Sequence, residues 1–422
     1  MKPTVLLAMT SRWFPTVRLA MGLHNAGCKI DAVCLPRHPL LTTRVARQTY
    51  TYRGLAPLQS IEAAIAASKP DLVIPADDLA AMHLHALYQL EVDRDRKSGF
   101  LCAVIERSLG ASSSYPLVYD RTKFIEIAQE EGIRVPKSEV LTDIHQAKAW
   151  AARSSYPAVL KSNGSSGGVG VKIVHTREEA ERAFRALYAP PLLARAAKRA
   201  LFDGDNTLVL ASLLRKRASV NAQGYVAGRE ASSTFACWNG KVLAALHFEV
   251  LNKSERTGPA TVIRLIDNRE MSMAAEKIAA RLNLSGMVGL DFMLEEQTGD
   301  AYLIEINPRA TQVGHLTLGA GRDLPAALHA ALTGEVIREA PKVTENKVIA
   351  LFPPEWKRNP DSAYLRSGYH DVPWEEPELV RACVLSARKH NVLNSEIERL
   401  RAFSSAAQKF DEPCAEEVRQ SK

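Results

Sequence analysis

Strand-like and helix-like segments alternate from Val5 to Pro75, and no other property of the chain narrows its fold as far. Val5–Ala8 and Ile30–Cys34 are short apolar runs of strand character. Between them Pro15–Asn25 reads as a helix, with proline at its start and Gly27 just past its end. Ser60–Ser68 reads as another helix and Asp71–Pro75 as a further strand. Such alternation calls for a parallel sheet with helices on both faces. Open sheets of that kind bind ligands beyond the carboxyl ends of their strands, where Asp77 and Asp78 stand. Capping the following helix is the simpler use of those two acids. No G-x-G-x-x-G follows the first strand, so a dinucleotide cofactor has no support.

A chain of 422 residues exceeds one core, and roughly two to four packed units are expected. The small, polar stretch Gly110–Pro116 marks a boundary, and the character changes again after Gly334. The expected division is an α/β unit over 1–115, a central unit over 116–335, and an extension over 336–422 of unassigned role. The extension reads as irregular, with one helix near Glu378–Lys389. A basic helical stretch is expected from Leu192 to about Arg217.

The strongest chemical signal is a pair of strands, Val288–Leu294 and Ala301–Asn307, joined by Gln-Thr-Gly-Asp and ending in Glu305-Ile-Asn-Pro-Arg309. Side chains alternate across a strand, so Leu303, Glu305 and Asn307 are expected on one face, and Tyr302, Ile304 and Ile306 on the other. With a tight turn, Asp291 opposes Glu305 and Phe292 opposes Ile304. Asp291, Glu305 and Asn307 then converge as hard oxygen donors of the kind that hold one or two Mg²⁺ ions shared with phosphates. A surface hairpin with a polar outer face is the plainer reading, but acids and an amide crowd one end only.

A second signal is Lys161 followed by Ser162-Asn-Gly-Ser-Ser-Gly-Gly-Val-Gly170 and a Val-x-Ile-Val strand. Glycine lets backbone amides close over phosphate oxygens, while the lysine supplies a point charge. The lysine precedes the glycines, so this is not a P-loop. A strand–loop–strand flap over a nucleotide fits, as does a plain mobile loop.

Other properties exclude more than they suggest. No apolar run approaches the length of a membrane span, and the opening Val-Leu-Leu-Ala run is too short for a signal peptide. A cytoplasmic location is the expectation. A net charge of +7 is modest for this length. The nearest approach to a nucleic-acid stripe is Arg37–Arg53, with Arg44, Arg47, Tyr50 and Tyr52, and nucleic acid is not expected as a partner. The six cysteines are scattered, with neither C-x-x-C nor metal spacing.

Together these features resemble the ATP-grasp superfamily of carboxylate–amine ligases over roughly residues 1 to 335. The resemblance implies an N-terminal Rossmann-like pre-ATP-grasp domain, then a two-part α+β ATP-grasp fold holding nucleotide between two sheets, then a small C-terminal extension. Lys123, in Tyr119-Asp-Arg-Thr-Lys123, looks like the family's first nucleotide lysine. Lys161 looks like the second, and Gly164, Ser165, Ser166, Gly167 and Gly168 like its phosphate flap. Gln223, Tyr225 and Val226 look like the linker that meets adenine, with Glu230 on the next strand. Asp291, Glu305 and Asn307 look like the metal ligands, and Arg309 like the arginine that steadies the transferred phosphoryl group. Gly224 stands where many relatives carry an acid, and Asp291 where the first metal carboxylate is often Glu.

The implied reaction is attack of a small-molecule carboxylate on the γ-phosphate of ATP, with Mg²⁺ (or Mn²⁺) bridging the phosphates, followed by attack of an amine or similar nucleophile on the acyl phosphate. His315 and Arg264 are candidate substrate contacts, although a histidine closing a turn is the simpler account of His315. The resemblance leaves room for a homodimer. Two alternatives stand beside this reading: a carboxylase of the same fold that activates bicarbonate, and an ATP-binding subunit without turnover.

Overall fold

The computed structural model describes residues 2–162, 170–189, 219–255, 258–337 and 341–387. Four parallel strands form the N-terminal sheet: β1 (Thr4–Ala8), β2 (Lys29–Cys34), β3 (Ala46–Thr51) and β4 (Leu72–Pro75), in the order β3-β2-β1-β4. Parallel neighbours need crossovers, and α1 (Pro15–Asn25) and α2 (Pro57–Ser68) supply two of them. Strand β1 is buried on both faces, Val5 and Leu7 in one core and Leu6 and Ala8 in another, which is why it reads as an unbroken apolar run. Strand β3 is an edge strand of mostly exposed polar residues inside the basic stretch 37–53. There Arg47 forks onto both oxygens of the buried Asp31, at 3.0 and 2.6 Å, so this arginine serves an ion pair within the fold.

Helices α3 (Asp78–Asp93) and α4 (Phe100–Leu109) pack against this sheet, and α5 (Tyr115–Tyr119) and α6 (Arg121–Glu130) lead out of it. A small antiparallel sheet follows: β5 (Ser138–Leu141), β6 (Ala158–Ser162), β7 (Val171–Val174) and β8 (Val220–Gly224), in the order β5-β8-β6-β7. Helices α7 (Ile144–Arg153) and α8 (Arg177–Tyr188) bury Trp150 and Phe184 against Leu160, Val220 and Ala222 on one of its faces. The other face is left for polar residues. The basic stretch 192–217 lies outside the described residues.

The third sheet is the largest. Strands β9 (Gly228–Trp238), β10 (Lys241–Lys253), β11 (Ala260–Leu265), β12 (Gly286–Glu295), β13 (Ala301–Asn307), β14 (Val348–Leu351) and β15 (Tyr369–Asp371) run in the order β13-β12-β9-β10-β11-β14-β15. One face packs on α6 and the helix Arg269–Arg281, through Phe124, Ile278, Phe235, Leu290 and Leu303. The opposite face shares a core with β1, β2 and α1, joining Leu7 and Leu19 to Ala236, Leu246 and Ile349. Strands β14 and β15 lie where an irregular tail is expected from sequence. They are too short to show a period, and only their place at the end of a sheet makes them strands. A helix at Pro377–Ala387 matches the one expected near Glu378. Among the described residues, no helix is long and apolar enough to cross a membrane.

Candidate active site

The polar face of the small sheet is turned toward the end of the β12–β13 hairpin. Lys161 pairs with Asn221 and Val159 with Gln223, so Lys161, Asn221 and Gln223 stand opposite the apolar set of β6 and β8. All three are buried. Burial pulls the Lys161 ammonium down to about 8, with the charge of Glu305 opposing that fall and Arg121 adding to it. Arg121, the first residue of α6, spans the gap between the sheets. Its Nη1 donates to the Ser162 carbonyl at 2.8 Å and its Nη2 to Glu305 Oε2 at 3.0 Å. Asp120 caps this helix by accepting from the Thr122 and Lys123 amides, and the Thr122 hydroxyl meets Asn221 Oδ1 at 3.2 Å.

Asp291 lies opposite Glu305, as the spacing predicts. The next pair differs. A bulge between Asp291 and Phe292 sets Phe292 against Leu303, where Ile304 is expected. Leu303 and Ile306 therefore both enter the core, and Ile304 is only half-buried. The extra residue lets Glu305 and Asn307 face Asp291 while Leu303 still packs inward. Asp291 Oδ1 accepts from the Ser232 hydroxyl at 2.7 Å, and Oδ2 from the Asn307 amide at 2.9 Å. Burial and the neighbouring Glu305 charge push the Asp291 carboxyl up to about 6. Two carboxylates held together in a half-dry site call for a cation, and their donors are hard oxygens. Among the described residues no set of three His, Cys, Asp or Glu side chains gathers for a metal. Asn307 and phosphate oxygens would have to complete such a site.

Arg309 follows immediately. Its Nη2 donates to Asn307 Oδ1 at 3.0 Å, and its Nε to Asp78 Oδ1 at 2.8 Å. Its guanidinium carbon lies 5.8 Å from the centre of the Trp13 ring. Lys161, Arg121, Asp291, Glu305, Asn307 and Arg309 thus form one continuous cluster between two sheets.

Other predicted residues fall differently. Lys123 is exposed on α6, and the basic side chain that reaches Glu305 is Arg121, two residues earlier. Gln223 is the last buried residue of β8, while the exposed Tyr225 and half-buried Val226 form the link into β9. Glu230 lies on the same face of β9 as Ser232 and is held by Lys253 Nζ at 2.6 Å. Gly164, Ser165, Ser166, Gly167 and Gly168 lie outside the described residues. Two substrate candidates are placed elsewhere. Arg264 pairs across the sheet with Glu249 and Ala231, on the face opposite Asp291 and Ser232, and its Nη1 donates to Glu249 at 2.7 Å. His315 is buried against Asp371 at 2.7 Å, in a cluster completed by Arg18. Desolvation holds its imidazole below the usual range, against the pull of Asp371. Asp371 of β15 thus gathers Arg18 of α1 and His315, and the buried imidazole is closed to a diffusing substrate.

A profile described as "Carbamoyl-phosphate synthase L chain, ATP binding domain" matches residues 120–321. The biotin carboxylase domain of Hydrogenobacter thermophilus 2-oxoglutarate carboxylase, solved with MgADP, ADP and bicarbonate, superposes with a TM-score of 0.57 at 17% identity, covering 80% of this chain and 71% of that one. The fold is ATP-grasp. An L-amino acid ligase from Bacillus licheniformis superposes with a TM-score of 0.54 at 14% identity, over 79% of this chain and 75% of that one. The carbamoyl phosphate synthase large chain of Synechocystis sp. is 23% identical over 242 residues, 56% of this chain. This chain spans about a fifth of that relative's length (21%). The ATP-grasp match begins at Asp120, beside Arg121, and runs past Arg309, so it takes in the whole cluster.

Proposed function

We propose that this chain is an ATP- and Mg²⁺-dependent, ADP-forming ligase that activates a small-molecule carboxylate as its acyl phosphate for attack by an amine or similar nucleophile. The observation that carries the reading is the junction at Arg121, whose guanidinium bonds both the Ser162 carbonyl of the small sheet, next to Lys161, and Glu305 on the acid hairpin of the large sheet. Triphosphate would lie between Lys161 and Arg121 on one side and the acids on the other. Asp291, Glu305 and Asn307 would hold Mg²⁺, which would supply positive charge to offset that of the phosphates. Arg309 lies beyond the metal ligands, where it can meet the oxygens of a phosphoryl group moving toward a carboxylate. The work is positioning and charge stabilisation, so no general base is needed for the first step. Tyr225, Val226 and Gln223 would meet the base through the link between the sheets.

The division at 1–115, 116–335 and 336–422 belongs to the same proposal, as do a cytoplasmic setting and a homodimeric assembly. Activation of bicarbonate is the second reading, favoured by the likeness to a biotin carboxylase domain. The test is ADP release over a panel of carboxylates crossed with amines, thiols and bicarbonate. Release that needs both a carboxylate and an amine supports the ligase, and bicarbonate-dependent release without any amine supports the second reading. Tight ATP binding with no ADP under any condition overturns both.

A further inference from the structure

Arg309 is held from the N-terminal unit, by Asp78 at the start of α3. Its Nε and Nη2 fork onto Asp78 Oδ1 and Oδ2 at 2.8 and 3.3 Å, its Nη2 also donates to Asn307 Oδ1 at 3.0 Å, and its Nη1 donates to the Ala310 carbonyl at 3.2 Å. A guanidinium carries five N–H donors, and this pattern commits all but one, on Nη1. Asp78 therefore decides which way the last donor points. The pair is mostly shielded, at 18% and 27% side-chain exposure, so its charge-assisted fork is only weakly screened.

The neighbourhood is built to hold Asp78 still. Asp77 accepts from the Thr10 amide and hydroxyl, from the Ser11 amide and hydroxyl, and from the Ala80 amide, fixing the turn from β4 into α3. The Tyr119 hydroxyl donates to the Asp78 carbonyl at 3.3 Å. The Ala310 amide donates to the Pro75 carbonyl at 3.0 Å, pinning the chain after Arg309 to the end of β4. The effect extends past Arg309. Its guanidinium can only donate and the Asp291 carboxylate can accept, so Asn307 must turn its Oδ1 to the one and its Nδ2 to the other. Asp78, Arg309, Asn307, Asp291 and Ser232 form an unbroken hydrogen-bonded line from the start of α3 through the acid hairpin to β9.

We propose that Asp78 is a positioning residue for phosphoryl transfer: it acts through Arg309, orienting the guanidinium and, through it, the Asn307 amide. This rests on the transition-state role given to Arg309 above. The experiment measures the affinity of the full chain for MgADP alone and for MgADP with aluminium fluoride, which imitates the phosphoryl group in flight. Parent, Asp78→Asn, Asp78→Glu, Arg309→Ala and the double variant Asp78→Asn with Arg309→Ala are compared, each checked by thermal melting. Asp78→Asn is expected to weaken the fluoride complex about tenfold while leaving MgADP unchanged, in the range seen when a partner that orients a ligand is lost. Asp78→Glu, which keeps the charge, restores part of the loss. In the Arg309→Ala background, Asp78→Asn has no further effect. Additive losses overturn the proposal, since Asp78 would then act independently of Arg309. Normal analogue binding by Asp78→Asn beside a loss in Arg309→Ala overturns the proposal and spares the role of Arg309. Normal analogue binding by Arg309→Ala removes that role, and the proposal with it.

Discussion

Burial of the Lys161 ammonium should cost the protein stability, and replacing the residue with methionine tests how much. Its ammonium is buried, with 8% exposure, at a place where, among the described residues, Glu305 and Asp291 favour its charge and Arg121 opposes it. Lowering its pKa from 10.5 to about 8 corresponds, at about 1.4 kcal/mol per tenfold change in proton affinity, to roughly 3 kcal/mol. An unfolded lysine holds its proton more tightly than the folded one. The penalty is therefore fully present below about 8, is relieved between about 8 and 10.5, and is gone above that. Methionine keeps the unbranched stem and removes the charge. In metal- and nucleotide-free protein at pH 7, Lys161→Met should melt a few degrees higher than the parent, with the gain shrinking as pH rises toward 10. The same variant should bind ATP at least about tenfold more weakly if Lys161 makes the proposed phosphate contact. Thermal melts across pH beside nucleotide titration check both halves. If Lys161→Met melts at or below the parent at pH 7, the attraction of the acids outweighs burial and the reasoning is wrong. A gain independent of pH would also refute it.

Glu305→Gln should abolish ADP release with a melt close to that of the parent, because it removes one negative oxygen and keeps the shape; near-normal turnover would contradict its place among the metal ligands. Arg121→Ala should lower ATP affinity by about tenfold or more, whereas Lys123→Ala should change it little, and calorimetry with MgATP separates the two. Equal losses would restore Lys123 to the phosphate site. Arg309→Ala should lower the rate about a hundredfold with ATP affinity retained, as expected of a contact that strengthens in the transition state. A parallel loss of ATP affinity would make it a ground-state ligand. Metal binding must expel the proton from Asp291, so Mn²⁺ affinity measured by electron paramagnetic resonance should fall as pH drops through about 6. Affinity that is flat from pH 5 to 7.5 would show that Asp291 does not ligate.

How far the sequence was readable follows from what each feature depends on. The buried strands β1, β2 and β4 announce themselves because two-sided burial favours apolar residues, with Asp31 of β2 the exception that Arg47 pairs, and the polar edge strand β3 does not. Pairing Asp291 with Glu305 needs only turn length and period, so it was legible. The bulge beside it was not, since one extra residue leaves the composition unchanged and shows only in which side chains reach the core. Arg264 misleads because a strand residue beside a loop gives no sign of which face the sheet will offer, and only its pairing with Glu249 and Ala231 decides that. Arg121 and Lys123 stand in the same first turn of α6, and sequence alone cannot say which one looks across the gap; the docking of a second sheet does. Asp78 shows the limit most clearly. Its local signal was a helix start, and Asp77 does cap that helix. Yet Asp78, one residue on, meets an arginine 231 positions away, and no local pattern encodes such a partner. Lys161 and the acids of the hairpin stand in local motifs, whereas a partner such as Asp78 is supplied by the packing of the N-terminal unit against the large sheet.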